Sequence, residues 1–177
     1  MNKLKQHLEE NFKLLGFQEK KTELAFLQIE KTQLELLLIN LRDSENYTHL
    51  SFLIASDHIE KGLFRLTYML HNYQTKHDLG VQVDIDRENE EMTSIHHLWA
   101  QAWTYQRELK EMYGIDFPNS PRLDEEFCLE GWQDIPPMRR DFDTVKYCEQ
   151  QFNNRDGRAT EDTKQTMKIK IYPDRGE

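Results

Sequence analysis

The sequence is poor in the residues from which cofactor sites are usually built. It has two cysteines in 177 residues, Cys128 and Cys148, and no CxxC pair. Two lone thiols cannot hold an iron–sulfur cluster or a four-cysteine zinc site. The 7 glycines include no GxGxxG or GxxxxGK arrangement, so no phosphate-cradling loop is supported. There is no Gly-x-Ser-x-Gly elbow, HExxH motif or acid-rich calcium loop. His96 and His97 are adjacent, so on a helix they point about 100° apart and cannot share a metal. His49, His58, His71 and His77 fall in or near separate strand elements. No apolar run approaches the roughly 20 residues that span a bilayer. The start, Met1-Asn2-Lys3-Leu4-Lys5-Gln6, has no apolar signal segment. The expectation is a cytoplasmic chain with free thiols and no metal or cofactor of its own, reaching a membrane only through partner proteins.

Charge excludes a little more. The net charge is -9, which repels nucleic acid and anionic lipid. The chain has the length of one domain, or of one domain with a tail.

What is present is periodicity. Leu4, Leu8, Phe12 and Leu15 recur at helical spacing, with Gly16 where a helix would stop. Leu24 to Ile29 suits a short strand. Thr32-Gln33-Leu34-Glu35 reads as a capping box before a helix over 33–44, whose buried face would be Leu34, Leu37, Leu38 and Leu41. Three strands follow by alternation: Leu50, Phe52, Ile54; then Phe64, Leu66, Tyr68, Leu70; then Leu79, Val81, Val83, Ile85. Their short polar connections suit antiparallel neighbours. A second long helix is predicted from Ser94 as N-cap, with Ile95, Leu98, Trp99, Ala102, Leu109, Met112 and Tyr113 buried and Gly114 at its end. The order is helix, strand, helix, three strands, helix, extended arm. That is α+β, a mainly antiparallel sheet with helices packed on one face. We expect an α+β domain over 1–117 and an irregular arm and tail over 118–177, broken by Pro118, Pro121, Pro136 and Pro137. From about Asn153 the chain is too polar to offset the entropy of ordering without a partner.

One charged pattern stands out. Arg107 and Glu111 share a helix face at i,i+4, beside Glu108. Arg139-Arg140-Asp141 follows the stiff Pro136-Pro137 pair. Arginine forks bind carboxylates at two points. Glu108 and Glu111 are natural partners for them within the chain, and a carboxylate on another subunit is the alternative. A clamp tying the long helix to the arm would present Phe117, Trp132 and Phe142 to a partner.

Residues 94–141 resemble the small hydrophilic peripheral-arm subunit of complex I, the respiratory NADH:quinone oxidoreductase. The resemblance is carried by Trp103, Tyr105-Gln106-Arg107-Glu108, Glu111-Met112-Tyr113-Gly114-Ile115, Phe117, Pro121 and Pro137-Met138-Arg139-Arg140-Asp141-Phe142. It covers most of 32–142. Gln106 stands where the family has Glu, Ser120 where it has His, and Arg140 where it has Lys. The resemblance implies a scaffold subunit with no redox centre. It would dock on a large subunit like that of nickel–iron hydrogenases and on a small iron–sulfur subunit, at the cytoplasmic face of the membrane. Iron–sulfur clusters, and nickel–iron or quinone, would belong to those partners. Related subunits occur in energy-converting hydrogenases and formate hydrogenlyase-like complexes. A free-standing enzyme would instead turn over alone, and a regulatory binding module would purify stably without redox subunits.

Overall fold

The computed structural model describes residues 2–151. Within them the order is α1 (Asn2–Asn11), β1 (Leu14–Lys21), β2 (Leu24–Ile29), α2 (Leu34–Asp43), β3 (His49–His58), β4 (Leu63–Asn72), β5 (His77–Asp86), α3 (Ala102–Tyr113) and α4 (Thr144–Gln151). The strands form one sheet in the order β1-β2-β5-β4-β3. All pairs are antiparallel except β2 with β5.

Alternation sets which face is buried. Leu66 pairs with Val83, Tyr68 with Val81 and Leu70 with Leu79, and all six are fully buried. Leu27 and Ile29 of β2 extend that face through Val81 and Val83. The opposite face is polar: Arg65 pairs with Asp84 at 2.6 Å, and Gln28 donates to the same carboxylate. A sheet apolar on one side gathers its helices there. Leu8 of α1, the α2 leucines and Leu109 of α3 join one core cluster with the buried sheet residues. Leu34, Leu37, Leu38 and Leu41 are buried as their spacing predicted. Gly80 leaves room on the polar face, where an added Cβ would collide with the Phe26 ring.

Several local expectations are corrected. The first helix stops at Asn11, and Leu15 and Gly16 lie in β1, a strand the helical spacing concealed. Leu15 is accordingly exposed. The capping box does not form: Thr32 sits in a 3-10 turn over Lys31–Gln33, and neither Glu30 nor Gln33 makes a side-chain cap. In β3 the register shifts between Leu50 and Phe52. One extra residue reverses the alternation, so Leu50 and Leu53 are buried while Phe52 and Ile54 face outward. The last long helix begins at Ala102, after turns, because the Ser94 hydroxyl donates to Gln106 at 2.8 Å and caps nothing. Gly114 does end it, in the left-handed conformation at φ 82°.

The described chain forms two compact units that meet in sequence between Phe142 and Asp143. Residues 118–142 belong to the first unit. In the second, α4 is described alone: the Asp143 carboxylate accepts from the Lys146 N–H, and Cys148 is exposed. The expectation for the tail from Asn153 on lies outside the described residues.

Candidate docking site

The site is built where α3 ends and the arm folds back over it. Gly114 turns the chain, and a Cβ there would meet the Arg139 guanidinium at 3.3 Å and Pro136 at 3.4 Å. Ile115 and Phe117 then plug into the core, both fully buried. The segment from Glu90 to Met92 pairs alongside: Asp116 N–H donates to the Glu90 carbonyl and Met92 N–H to the Asp116 carbonyl. With the chain anchored there, the arm has little regular structure to satisfy its backbone. It uses α3 side chains.

Glu111 is the main one. Its carboxylate accepts from the backbone N–H groups of Phe127 at 2.6 Å, Cys128 at 2.9 Å and Leu129 at 3.1 Å. Desolvation pushes its pKa up, but those donors outweigh it and hold the group below the ordinary carboxylate value. Lys110 reaches Asp116 at 2.9 Å and Asp124 at 2.6 Å. Arg107 lies 3.7 Å from Glu125 and stacks between the Trp103 and Phe127 rings, 5.0 and 5.4 Å from their centroids. The Met138 N–H donates to the Met112 carbonyl at the helix end.

The second half of the arm is fixed to the sheet. Asp57, at the end of β3, has a side chain only 1% exposed. It accepts from Arg87 Nε at 3.0 Å and from the Arg140 N–H at 2.9 Å. Arg87 also donates to Asp141 at 2.6 Å. Arg139 bonds Glu90 and the Arg87 carbonyl, both at 3.2 Å, and Arg140 bonds Glu60 at 2.5 Å. Both Arg87 and Arg139 lie against the buried Phe64 ring, at 5.5 and 5.2 Å. The Asp57 hydrogen bond leads in raising the Arg87 pKa, against desolvation. Desolvation raises Asp141, but Arg87 more than reverses it and the net shift is downward.

The structure therefore ties Arg139, Arg140 and Asp141 together, but to Asp57, Glu60, Arg87 and Glu90. Arg107 and Glu108 do not join them. Glu111 binds arm backbone, not arginine, and Pro137 lies within the turn that the Arg139 N–H closes on the Pro136 carbonyl. The four acceptors and donors on the body were missed. A signal existed for one: Arg87 is the lone base in the acidic run Asp84-Ile85-Asp86-Arg87-Glu88-Asn89-Glu90-Glu91. Gln106 and Ser120, two of the three departures from the family pattern, turn out to be partners. Gln106 is fully buried, and its Oε1 accepts from Ser120 at 2.7 Å as well as from Ser94.

The finished arm leaves a groove of about 570 Å³ between the outer edge of β3 and α3. Phe52 to Ala55 form one wall; Glu108, Leu109, Met112 and Met138 contribute to the other. Phe52, Ile54 and Met138 are 37%, 47% and 55% exposed. Among the described residues, no group of three or more His, Cys, Asp or Glu is placed to hold a metal, and no helix is long and apolar enough to cross a membrane.

Comparison with known proteins gives a consistent set. The family described as respiratory-chain NADH dehydrogenase, 30 Kd subunit, matches residues 27–148. A NADH-quinone oxidoreductase subunit of Moorella thermoacetica is 28% identical over 116 residues, 66% of this chain and 78% of that protein. Its counterpart in Erythrobacter litoralis is 28% identical over 137 residues, but only 53% of its length is covered. The chain thus spans about half to three quarters of these relatives. Among solved structures, a chain of the membrane-bound sulfane sulfur reductase, an archaeal respiratory membrane complex, superposes with a TM-score of 0.74 at 19% identity, covering 85% of this chain and 89% of that one. The trypsin-resistant fragment (1-134) of Nqo5 gives 0.56 at 14% identity, covering 68% of this chain and 96% of the fragment.

Proposed function

Because the chain belongs to the family of the 30 Kd subunit of respiratory-chain NADH dehydrogenase, we propose that it is a cofactor-free scaffold subunit of a complex I-like, membrane-associated oxidoreductase. It docks on the hydrogenase-large-subunit-like protein and the small iron–sulfur subunit, on the cytoplasmic side of the membrane. Electrons pass to quinone through those neighbours, coupled to ion translocation. The arm from Pro118 to Phe142 is the docking element. The observation that carries this reading is the way the arm is held. Carboxylates and guanidiniums from the ends of β3 and β5 and from α3 fix an otherwise irregular segment, and beside it Phe52, Ile54 and Met138 stay exposed. A chain that used the arm only to cover its own core would not leave that row of apolar side chains in water.

The test is co-expression with the hydrogenase-like large subunit and the small iron–sulfur subunit of the same organism. We expect a stoichiometric complex, with iron present only when the iron–sulfur subunit is, and no turnover by the chain alone. Stable isolation with neither partner bound, or oxidoreductase activity in the isolated chain, overturns the proposal. A second reading, the equivalent subunit of an energy-converting hydrogenase or related complex, is favoured by the fold it shares with a chain of a sulfane sulfur reductase. The fold therefore does not choose the electron acceptor. Two nickel-binding CxxC pairs in the partner large subunit would select that reading.

A further inference from the structure

We propose that the groove between β3 and α3 accepts an extended segment of the large partner subunit, added as a strand to the edge of β3, apolar on both its faces and carrying one basic residue that meets Glu108. This deepens the docking reading above and rests on it.

The sheet edge supports strand addition. Among the described residues β3 is the last strand of the sheet, and its outer side faces no other strand. Such an edge is a template for another chain unless something covers it. Its first part is covered: the Trp99 indole, the Gln101 amide and the Tyr105 hydroxyl donate to the carbonyls of Thr48, Leu50 and Ser51. Its last part is flanked by the arm, whose Arg140 N–H donates to the Asp57 side-chain carboxylate. Between them, among the described residues, no group outside β4 hydrogen-bonds Phe52 to Ser56. The open window is five residues long, about 17 Å at the usual rise per residue of an extended strand.

The two walls define the occupant's chemistry. The bulge at Leu50/Phe52 turns Phe52 and Ile54 to the outer face, where they pair with Met69 and Thr67 of β4. A strand laid on this edge sends one set of side chains toward Phe52 and Ile54. The other set meets Leu109, Met112 and Met138. Both sets are matched by apolar groups, so the occupant is a continuous apolar run and not an alternating one. One polar feature interrupts the second wall. Glu108 lines it with no hydrogen bond or ion pair to any described residue, while the neighbouring Lys110, Arg107 and Arg139 all have acids of their own. A partly buried carboxylate without a counter-charge selects a base in whatever covers it. The chain's own tail fits less well. Met167-Lys168-Ile169-Lys170-Ile171-Tyr172 alternates apolar residues with lysines. It would set two ammonium groups against a wall with one carboxylate.

The experiment uses the full chain and the co-expressed large subunit. A photo-crosslinking side chain is placed at position 54, which is exposed and outside the core, and the adduct is mapped by mass spectrometry. In parallel, Ile54→Lys, Phe52→Lys and Glu108→Lys are compared with the wild-type chain for affinity toward the large subunit. We expect the crosslink in one extended apolar segment of the large subunit. Affinity should fall at least about tenfold for Ile54→Lys and for Glu108→Lys. The Glu108→Lys loss should be recovered by reversing the charge of the base in the crosslinked segment. Crosslinking to residues 167–172 of the same chain, or to a second copy, overturns the proposal. So does a complex that assembles with unchanged affinity in all three variants. That last result leaves the scaffold function standing, whereas failure of the wild-type chain to bind the large subunit removes it.

Discussion

The sheet body and the arm are held together by different physics. In the body, β4 and β5 face the helices with residues buried almost without exception, and the stabilising quantity is apolar area removed from water. In the arm from Pro118 to Phe142 only Ser120 is buried. Its geometry is set by Glu111 on three backbone N–H groups and by Asp57, which accepts from the Arg87 guanidinium and the Arg140 N–H. Body stability is spread over many equivalent side chains. Arm stability rests on a few charged atoms, each with a named partner. Phe64 is where the two regions meet, since its ring is fully buried and also backs both Arg87 and Arg139.

Removing that shared ring should have the largest effect. Phe64→Ala is expected to cost about 3–5 kcal/mol of global stability, the range for a buried aromatic truncation. Phe64→Leu separates the two roles of the ring. It keeps most of the apolar volume and loses only the π-face under the two guanidiniums, worth on the order of 0.5–2 kcal/mol. Hydrogen exchange should then show arm amides losing protection before those of β4 and β5. Equal loss in both regions would mean the ring serves the core alone. Next comes Asp57→Asn. Breaking a buried pair costs about 3–5 kcal/mol, and we expect the lower end because Arg87 keeps Asp141. Urea unfolding measures the cost. A loss under about 0.5 kcal/mol, as for an exposed pair, would show that the clamp is solvated and that the arm is not fastened through it.

The same contrast explains what could be read from the sequence. The α2 leucines, β4, β5 and Gly114 were legible because burial imposes a period of 3.6 or 2 on every residue of an element. β3 was legible as a strand but not in its facing, because a bulge leaves no mark in a list of apolar residues. β1 was hidden because Leu15 and Gly16 also complete a helical pattern begun at Leu4. The arm has no period at all, and its partners Asp57, Glu60, Arg87 and Glu90 lie roughly fifty to eighty positions away in the chain. Charge-pair registry over such distances depends on the three-dimensional path, so the motif identified Arg139, Arg140 and Asp141 but not what they hold.

Gln106 and Ser120 show the reverse case, where two separate oddities in the sequence prove to be one structural fact. In this chain the buried pair is neutral and hydrogen-bonded, and Gln106 Nε2 has no partner. Gln106→Glu alone puts a carboxylate in that enclosed position, with an expected loss of about 1–3 kcal/mol near neutral pH. Adding Ser120→His supplies a cation and should recover most of it. If the double substitution is simply additive, the two positions are not coupled.

The smallest effect separates the two regions most directly, because it should depend on pH in the arm and leave the core untouched. Glu111→Gln keeps one acceptor oxygen but loses the charge that three N–H groups face, an expected cost of about 1 kcal/mol. Glu111 titrates in the folded state below its ordinary value of 4.5. A group with a lowered folded pKa contributes stability that is present above the unfolded pKa. That contribution is lost as pH falls through the folded value. The wild-type chain should therefore be the more stable at pH 6, and its advantage should shrink from about pH 4.5 downward. Asp141 and Glu60 also titrate low, but they do so in both proteins and cancel from the difference. Urea midpoints for the two chains, taken at steps from pH 6 to pH 3, measure that difference directly. A gap that stays constant across the range would mean that Glu111 acts through shape and not charge, and that the arm is packed on α3 in the same way as the core.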